Sequence, residues 1–167
     1  MNVPARFNRI FQVTGLLFIL ASCGPSGQDI YVSHVNETMG KFVTAEADYN
    51  RGIEDITEEF RDSGNQFRAT QLLLEHIKAL NQYFKQIASD FGDPIPPKRF
   101  EDFHVSMSSA LNDIIRATNA QMTYYATILN TGERDKFLAD RSSELLKSSN
   151  LDTQKAAYMF AEITGQK

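Results

Sequence analysis

The chain has 167 residues, 42% of them hydrophobic and 23% charged, and this balance excludes an intrinsically disordered protein. Its 17 basic and 21 acidic residues give a net charge of −4, and no three basic residues are consecutive. Nucleic acid is therefore excluded as a main partner, because phosphate binding needs clustered Lys and Arg.

The first 22 residues have the layout of a secretory signal peptide. Residues 1–9 carry Arg6 and Arg9 and no acidic residue, residues 10–20 are mostly apolar, and Ala21 and Ser22 are small. A short membrane-anchoring helix or a buried core helix are the alternatives, but the apolar stretch is shorter than the ~20 residues that span a bilayer. Removal of residues 1–22 leaves 15 basic and 21 acidic residues, a net charge of −6.

The end of this segment, Leu20-Ala21-Ser22-Cys23, resembles the lipobox of bacterial lipoproteins at all four positions. The resemblance covers only the export segment. It implies that the Cys23 thiol receives a diacylglyceryl group, that the chain is cleaved between Ser22 and Cys23, and that the new amine is acylated. Two or three acyl chains hold a protein firmly to a membrane, where a single chain gives only marginal binding. Cys23 is also the only cysteine, so an internal disulfide is excluded.

Residues 23–29 follow as a short flexible tether, rich in Gly, Ser and Pro. Gly24 stands at the position where, by the same resemblance, a residue other than Asp directs a Gram-negative lipoprotein to the outer membrane. We therefore expect attachment through lipid to the cell envelope, on the periplasmic face of the outer membrane if the source is Gram-negative.

The body, residues 30–167, has the hydrophobic pattern of long helices. Apolar residues recur at steps of three and four in segments of about 30–60, 66–91 and 97–129, and no comparable stretch alternates with period two. Turn signals separate the segments. These are Ser63-Gly64-Asn65, the Pro-rich stretch after Gly92, and Thr131-Gly132.

The last segment, about 133–163, is less regular. Phe137, Leu138, Leu145 and Leu146 suggest one face and Leu151, Ala157, Tyr158, Phe160 and Ala161 another, while Ser148-Ser149-Asn150 could begin a new helix. The expectation is either one kinked helix or two short ones. Together the segments predict an all-α fold, an antiparallel up-down four-helix bundle joined by short loops.

A metal or ligand site would draw on the three histidines or on polar residues inside the bundle. His34 and His104 are predicted near the same end and His76 about 22 Å away along the axis, so at most the first two could share a metal. A di-iron site needs two Glu-x-x-His pairs, and the chain has only Glu101 to His104. No resident cofactor or metal is expected.

Two polar residues interrupt otherwise apolar rows, Glu46 in the first segment and Gln121 in the third. One interpretation is that the stripe slips, so that Ala45 or Met122 faces inward instead. The other is a buried polar pair that fixes register or lines a small ligand pocket, since a buried carboxylate needs a partner.

Motifs for catalysis are missing from the sequence. There is no Gly-x-Ser-x-Gly elbow, no glycine-rich phosphate loop, and adjacent acids such as Glu58 and Glu59 point about 100° apart on a helix. No catalytic residue is therefore assigned. The sequence favours a non-catalytic envelope lipoprotein that contacts a protein partner through a helix face, as an adaptor, assembly factor or inhibitor. The alternative is a helical bundle that binds a small ligand or metal through Glu46, Gln121, His34 or His104.

Overall fold

The computed structural model describes residues 26–165, which form four long α-helices and no strand. The helices are α1 (Gly27–Ser63), α2 (Gln66–Gly92), α3 (Glu101–Thr131) and α4 (Lys136–Thr164), and a short 3-10 turn, Lys98–Phe100, precedes α3. The all-α prediction is confirmed. The predicted signal peptide, the cleavage position at Ser22 and the lipid-attachment residue Cys23 lie outside the described residues.

Helix α1 begins three residues before the expected start at Ile30. Ser26 caps it: its hydroxyl accepts from the Asp29 backbone N–H at 3.3 Å, and the Asp29 carboxylate accepts from the Ser26 N–H at 3.0 Å. This reciprocal capping box satisfies two backbone donors at the helix start. Residues 27–29, assigned to the tether from sequence, therefore form the first turn of α1.

The remaining helix boundaries follow the turn signals. Gly64 and Gly132 end α1 and α3 with φ of 65° and 74°, a left-handed conformation that only glycine adopts without strain. Asn65 and Asp135 cap α2 and α4 by accepting from backbone N–H groups three residues later, at 3.0 Å and 3.2 Å. No described helix combines the length and the apolar character needed to cross a bilayer.

Hydrogen bonds between the helices fix their directions. Tyr31 and Tyr49 of α1 bond His104 and Gln121 of α3, in the same order along both helices, so these two run parallel. Ser149 of α4 donates to the Ala110 carbonyl of α3, and Phe160 further along α4 contacts Phe103 nearer the start of α3. α4 therefore runs antiparallel to α3, and the predicted four-helix bundle is confirmed.

Buried aromatic side chains cluster at the end of the bundle where α1 begins. Phe91, Phe100, Phe103 and Phe160 stack in a chain of ring contacts with centroids 5.0–6.0 Å apart. Further along, α3 and α4 meet through small buried residues, and their backbones pack closely. These are Ser106, Ala110, Ala117, Ser142, Ser149, Thr153 and Ala156. By contrast, no Cα of α1 lies within 8 Å of a Cα of α4.

Helix α4 is continuous through Ser148–Asn150, so the alternative of two short helices is wrong. Its buried stripe follows steps of three and four and consists of Ser142, Leu145, Leu146, Ser149, Thr153, Ala156 and Phe160. Two of these hydroxyls are hydrogen-bonded inside the core: Ser149 donates to the Ala110 carbonyl and Thr153 to the Ser149 carbonyl, both at 2.8 Å. The second face expected from sequence is largely outside, with Leu151 66% and Tyr158 67% exposed.

Candidate functional site

Both residues that interrupt the apolar rows lie inside the bundle. Glu46 is 4% exposed and Gln121 5% exposed, and Ala45 beside Glu46 is fully buried. The buried stripe of α1 therefore widens to include Ala45 without turning Glu46 outward. Met122 is only half-buried. The interior thus contains an ionisable group and an amide from two different helices.

A layer of polar side chains crosses the bundle at this level. Glu46 lies three residues before Tyr49, and Thr118 three before Gln121; since Tyr49 and Gln121 are bonded and α1 and α3 run parallel, Glu46 and Thr118 have the same height. Counting seven residues from the bonded pair Ser149 and Ala110 places Ser142 level with residue 117 of α3. We call Glu46, Tyr49, Asn81, Thr118, Gln121 and Ser142 the polar layer.

Part of the polar layer is internally satisfied. The Asn81 amide donates to the Thr118 hydroxyl at 2.7 Å and to the Ile115 carbonyl at 3.1 Å, which ties α2 to α3. The Gln121 amide nitrogen donates to the Tyr49 hydroxyl at 2.7 Å, which ties α3 to α1. Gln121 therefore pairs with Tyr49 and not with Glu46, the partner that the sequence suggested.

Three oxygens of the layer have no hydrogen-bond partner among the described residues. They are Glu46 Oε1, Gln121 Oε1 and Ser142 Oγ, one from each of α1, α3 and α4. A buried polar atom without a partner costs roughly 1–3 kcal/mol, so native proteins rarely leave several such atoms at one level. The layer therefore has acceptor capacity that the protein's own donors do not use.

Burial governs the ionisation of the layer. It raises the pKa of the Glu46 carboxyl to about 8, because removal from water disfavours the charged form. Within residues 26–165, no Lys, Arg or His forms an ion pair with this carboxylate. Burial also raises the pKa of the Tyr49 phenol, an effect that its hydrogen bond from Gln121 opposes.

The two histidines predicted at one end of the bundle take part in separate contacts. His34 Nε2 donates to the Asp90 carbonyl of α2 at 2.8 Å. The His104 ring stacks on Phe91, with centroids 4.6 Å apart, and its Nδ1 is bonded to the Tyr31 hydroxyl at 2.9 Å. Burial lowers the pKa of His104. These contacts give both rings a structural role in joining helices.

No three side chains of His, Cys, Asp or Glu come together as metal ligands within residues 26–165. Glu101, the acidic partner in the Glu-x-x-His pair, is exposed in the first turn of α3, where a carboxylate complements the helix dipole.

The sequence pattern indicates Glu46 and Gln121, and it includes Tyr49 among the aromatic residues that could line a pocket beside them, but it does not include Asn81 or Ser142. Tyr49 fits an apolar row, so its hydroxyl gives no signal of its own. The spacing along α4 gives a signal for Ser142. Together with Ser149 and Thr153 it continues the steps of three and four at which the apolar residues Leu145, Leu146 and Phe160 are buried. Comparisons of the chain with family models, curated protein sequences and solved structures find no match.

Proposed function

We propose that this chain is an envelope lipoprotein, anchored through acyl chains on Cys23, whose helical body acts as a non-catalytic interaction module. The observation that carries the proposal is the complete lipobox Leu20-Ala21-Ser22-Cys23 behind an apolar segment with basic residues before it. The capped start of α1 at Gly27 lies only four residues after Cys23. The body would then be held within a few residues of the bilayer surface.

The anchor is tested by labelling and fractionation. Cells expressing the full chain with Cys23, or the Cys23→Ser variant, are fed an alkyne-tagged fatty acid and separated into membrane and soluble fractions. The native chain should carry label and sediment with membranes, while the variant should lose the label and either become soluble or accumulate with its leader attached. Equal labelling of both chains contradicts the proposal.

The interaction role is supported by three exposed apolar side chains on one face of α4, in a row that the exposed Glu144 interrupts. Phe137, Leu151 and Tyr158 are 74%, 66% and 67% exposed. Their separations of 14 and 7 residues put them on one face of the helix. Exposed aromatic and aliphatic side chains in such a row are typical of a helix face that another protein covers. The partner is expected to be a protein of the same envelope compartment.

Photo-crosslinking in cells tests this face. A benzophenone amino acid at Leu151 or Tyr158 should give a discrete adduct of defined mass, while the same probe at Gln82, an exposed position of α2, serves as the control. Replacement of Phe137 by Glu should reduce the adduct formed at Leu151. The proposal that this face of α4 binds a partner is contradicted if the probes on α2 and α4 give identical adducts, or if the probes on α4 give none.

Small-ligand binding is the second candidate function, and the unpartnered oxygens of the polar layer favour it. This function does not require the lipid anchor, because every residue of the polar layer lies at Glu46 or later in the chain, well after Cys23.

A further inference from the structure

The unpartnered oxygens of the polar layer differ in type but share one property: each can offer a lone pair. They are a carboxyl oxygen of Glu46, the amide oxygen of Gln121 and the hydroxyl oxygen of Ser142. All three side chains are at least nine-tenths buried, with 4%, 5% and 1% of their surface exposed. The amide nitrogen of Gln121 donates one hydrogen bond to the Tyr49 hydroxyl, and the amide oxygen is left without a partner among the described residues.

The three side chains belong to three different helices and lie at one level of the bundle. Glu46 and Ser142 lie at nearly the same height by the register of α1, α3 and α4, and Gln121 is three residues, or about 4.5 Å, further along. The backbones of α1 and α4 stay more than 8 Å apart at every pair of Cα atoms, unlike the closely packed α3 and α4. No Cα of α1 lies within 8 Å of a Cα of α3 either, so Glu46 comes from a helix whose backbone stays apart from the two that carry Gln121 and Ser142.

The charge of these three side chains limits the charge of the ligand that they can bind. These side chains contain one carboxyl group, and no cationic side chain is paired with it in the described part of the chain. A buried carboxylate is stable only when it is neutralised or paired. One positive charge would balance it, whereas a divalent ion would leave a net charge in the interior.

We propose that Glu46, Gln121 and Ser142 form an internal site for one small monovalent cation, either an alkali-metal ion or ammonium. Oxygen-only ligand sets suit hard cations, because carboxylate, carbonyl and hydroxyl oxygens replace the water that such an ion loses. The site is distinct from any role of Cys23 or of the α4 face. If the lipid-anchor test at Cys23 fails, the proposed cation site is unaffected. If the cation site is disproved, the proposed lipid anchor is unaffected.

The first test compares cations at equal ionic strength. Thermal unfolding of the full-length chain in detergent is followed at about pH 8.5, above the pKa of about 8 that burial gives Glu46, in chloride salts of sodium, potassium, ammonium and choline. Choline gives the baseline, because the methyl groups on its nitrogen prevent close approach of oxygen ligands and leave no N–H to donate. At least one small cation should raise Tm by about 3 °C or more over choline, increasing with the logarithm of its concentration.

Variants identify the residues responsible. Glu46→Gln keeps the size of the side chain but removes its charge, so the cation-dependent rise in Tm should disappear, and Ser142→Ala should weaken it. Glu54→Gln, at an exposed position of the same helix, is the matched control and should keep the full rise. The difference between sodium, potassium and ammonium shows which ion the site prefers.

A direct binding measurement separates an ion from ordered water, which could also satisfy these oxygens. Equilibrium dialysis with radioactive sodium or rubidium, or with isotopically labelled ammonium, should give about one bound ion per chain, and none in Glu46→Gln. Equal Tm in choline and in all small cations, or an unchanged response in Glu46→Gln, overturns the proposal, as does a stoichiometry of zero for every ion.

Discussion

Gly52 of α1 lies directly against the imidazole ring of His76 of α2. A Cβ added at Gly52 would overlap the Cε1, Nε2 and Nδ1 atoms of that ring. The same ring is held by a hydrogen bond from Nε2 to the Tyr49 carbonyl at 3.4 Å. The absence of a side chain at Gly52 therefore lets a ring from α2 approach α1 one turn above the polar layer.

Gly52→Ala should lower the free energy of unfolding by roughly 1–2 kcal/mol, because the methyl group displaces His76 from its place between the helices. In a His76→Ala background the same change should instead raise stability by about 0.5–1 kcal/mol, since alanine is the better helix former. A double-mutant cycle from urea unfolding measures both values.

Gly40→Ala provides the control for this cycle. A Cβ at Gly40, in the same helix, would meet no atom within 4 Å. Its effect should be stabilising in both backgrounds. If Gly52→Ala behaves like Gly40→Ala, the ring does not occupy the position described.

The stability of the protein should depend on pH through Glu46. Burial raises the pKa of this group from 4.5 to about 8 in the folded state. Between these values the folded chain holds a proton that the unfolded chain has lost, so stability falls as pH rises, by about 1.4 kcal/mol per unit. Glu46→Gln has no proton to lose, and its advantage over the native chain should grow from about pH 4.5 to about pH 8.

The measurement is urea unfolding at a series of pH values, in choline chloride so that no small cation is present. Glu54→Gln, at an exposed position, should follow the native chain at every pH. A constant difference between Glu46→Gln and the native chain over the whole range would show that Glu46 is ionised in the folded protein or exposed to water.

The hydrogen bond between Tyr49 and Gln121 should show strong coupling. Tyr49→Phe leaves a buried amide donor without a partner and should cost about 1–3 kcal/mol. The double variant Tyr49→Phe, Gln121→Leu replaces both polar partners with apolar groups and should be less destabilised than the two single losses added together. Additive losses in chemical unfolding would mean that the two side chains do not interact.

Helix α4 offers a test of which of its faces is buried. Ser149→Leu should destabilise by roughly 1–3 kcal/mol or more, because the side chain is fully buried where α3 and α4 pack closely. Leu151→Ser, two residues away and 66% exposed, should change stability by no more than about 0.5 kcal/mol. If thermal unfolding shows a larger loss of stability for Leu151→Ser than for Ser149→Leu, the buried face of α4 is the one that contains Leu151.

The contrast on α4 also shows what could be predicted from sequence. Helices α1 to α3 bury large apolar residues at regular steps, so the spacing predicts their ends to within about four residues, and glycines or prolines mark those ends. Helix α4 packs against α3 mostly through Ser, Thr and Ala, which a hydrophobic pattern does not count as core. The prediction therefore combined Leu145, Leu146 and Phe160, which are buried, with Leu151 and Tyr158, which are exposed, and it suggested a kink or two short helices at the serines.

The candidate site was predictable only in part, for a related reason. A charged or amide group inside an apolar row is visible in sequence, and it identified Glu46 and Gln121. Which partner each side chain has depends on helix rotation and register, which the row does not specify. Tyr49 bonds Gln121, no donor within residues 26–165 bonds Glu46, and only the three-dimensional arrangement brings Ser142 of α4 to the same level.

The lipid anchor is tested most directly by the intact mass of the protein purified from the membranes of its own cells. The account predicts a chain that begins at Cys23 and carries the added mass of two or three acyl chains, with the difference lying entirely in the N-terminal peptide. An unmodified chain, or one that begins at any other residue, would contradict it.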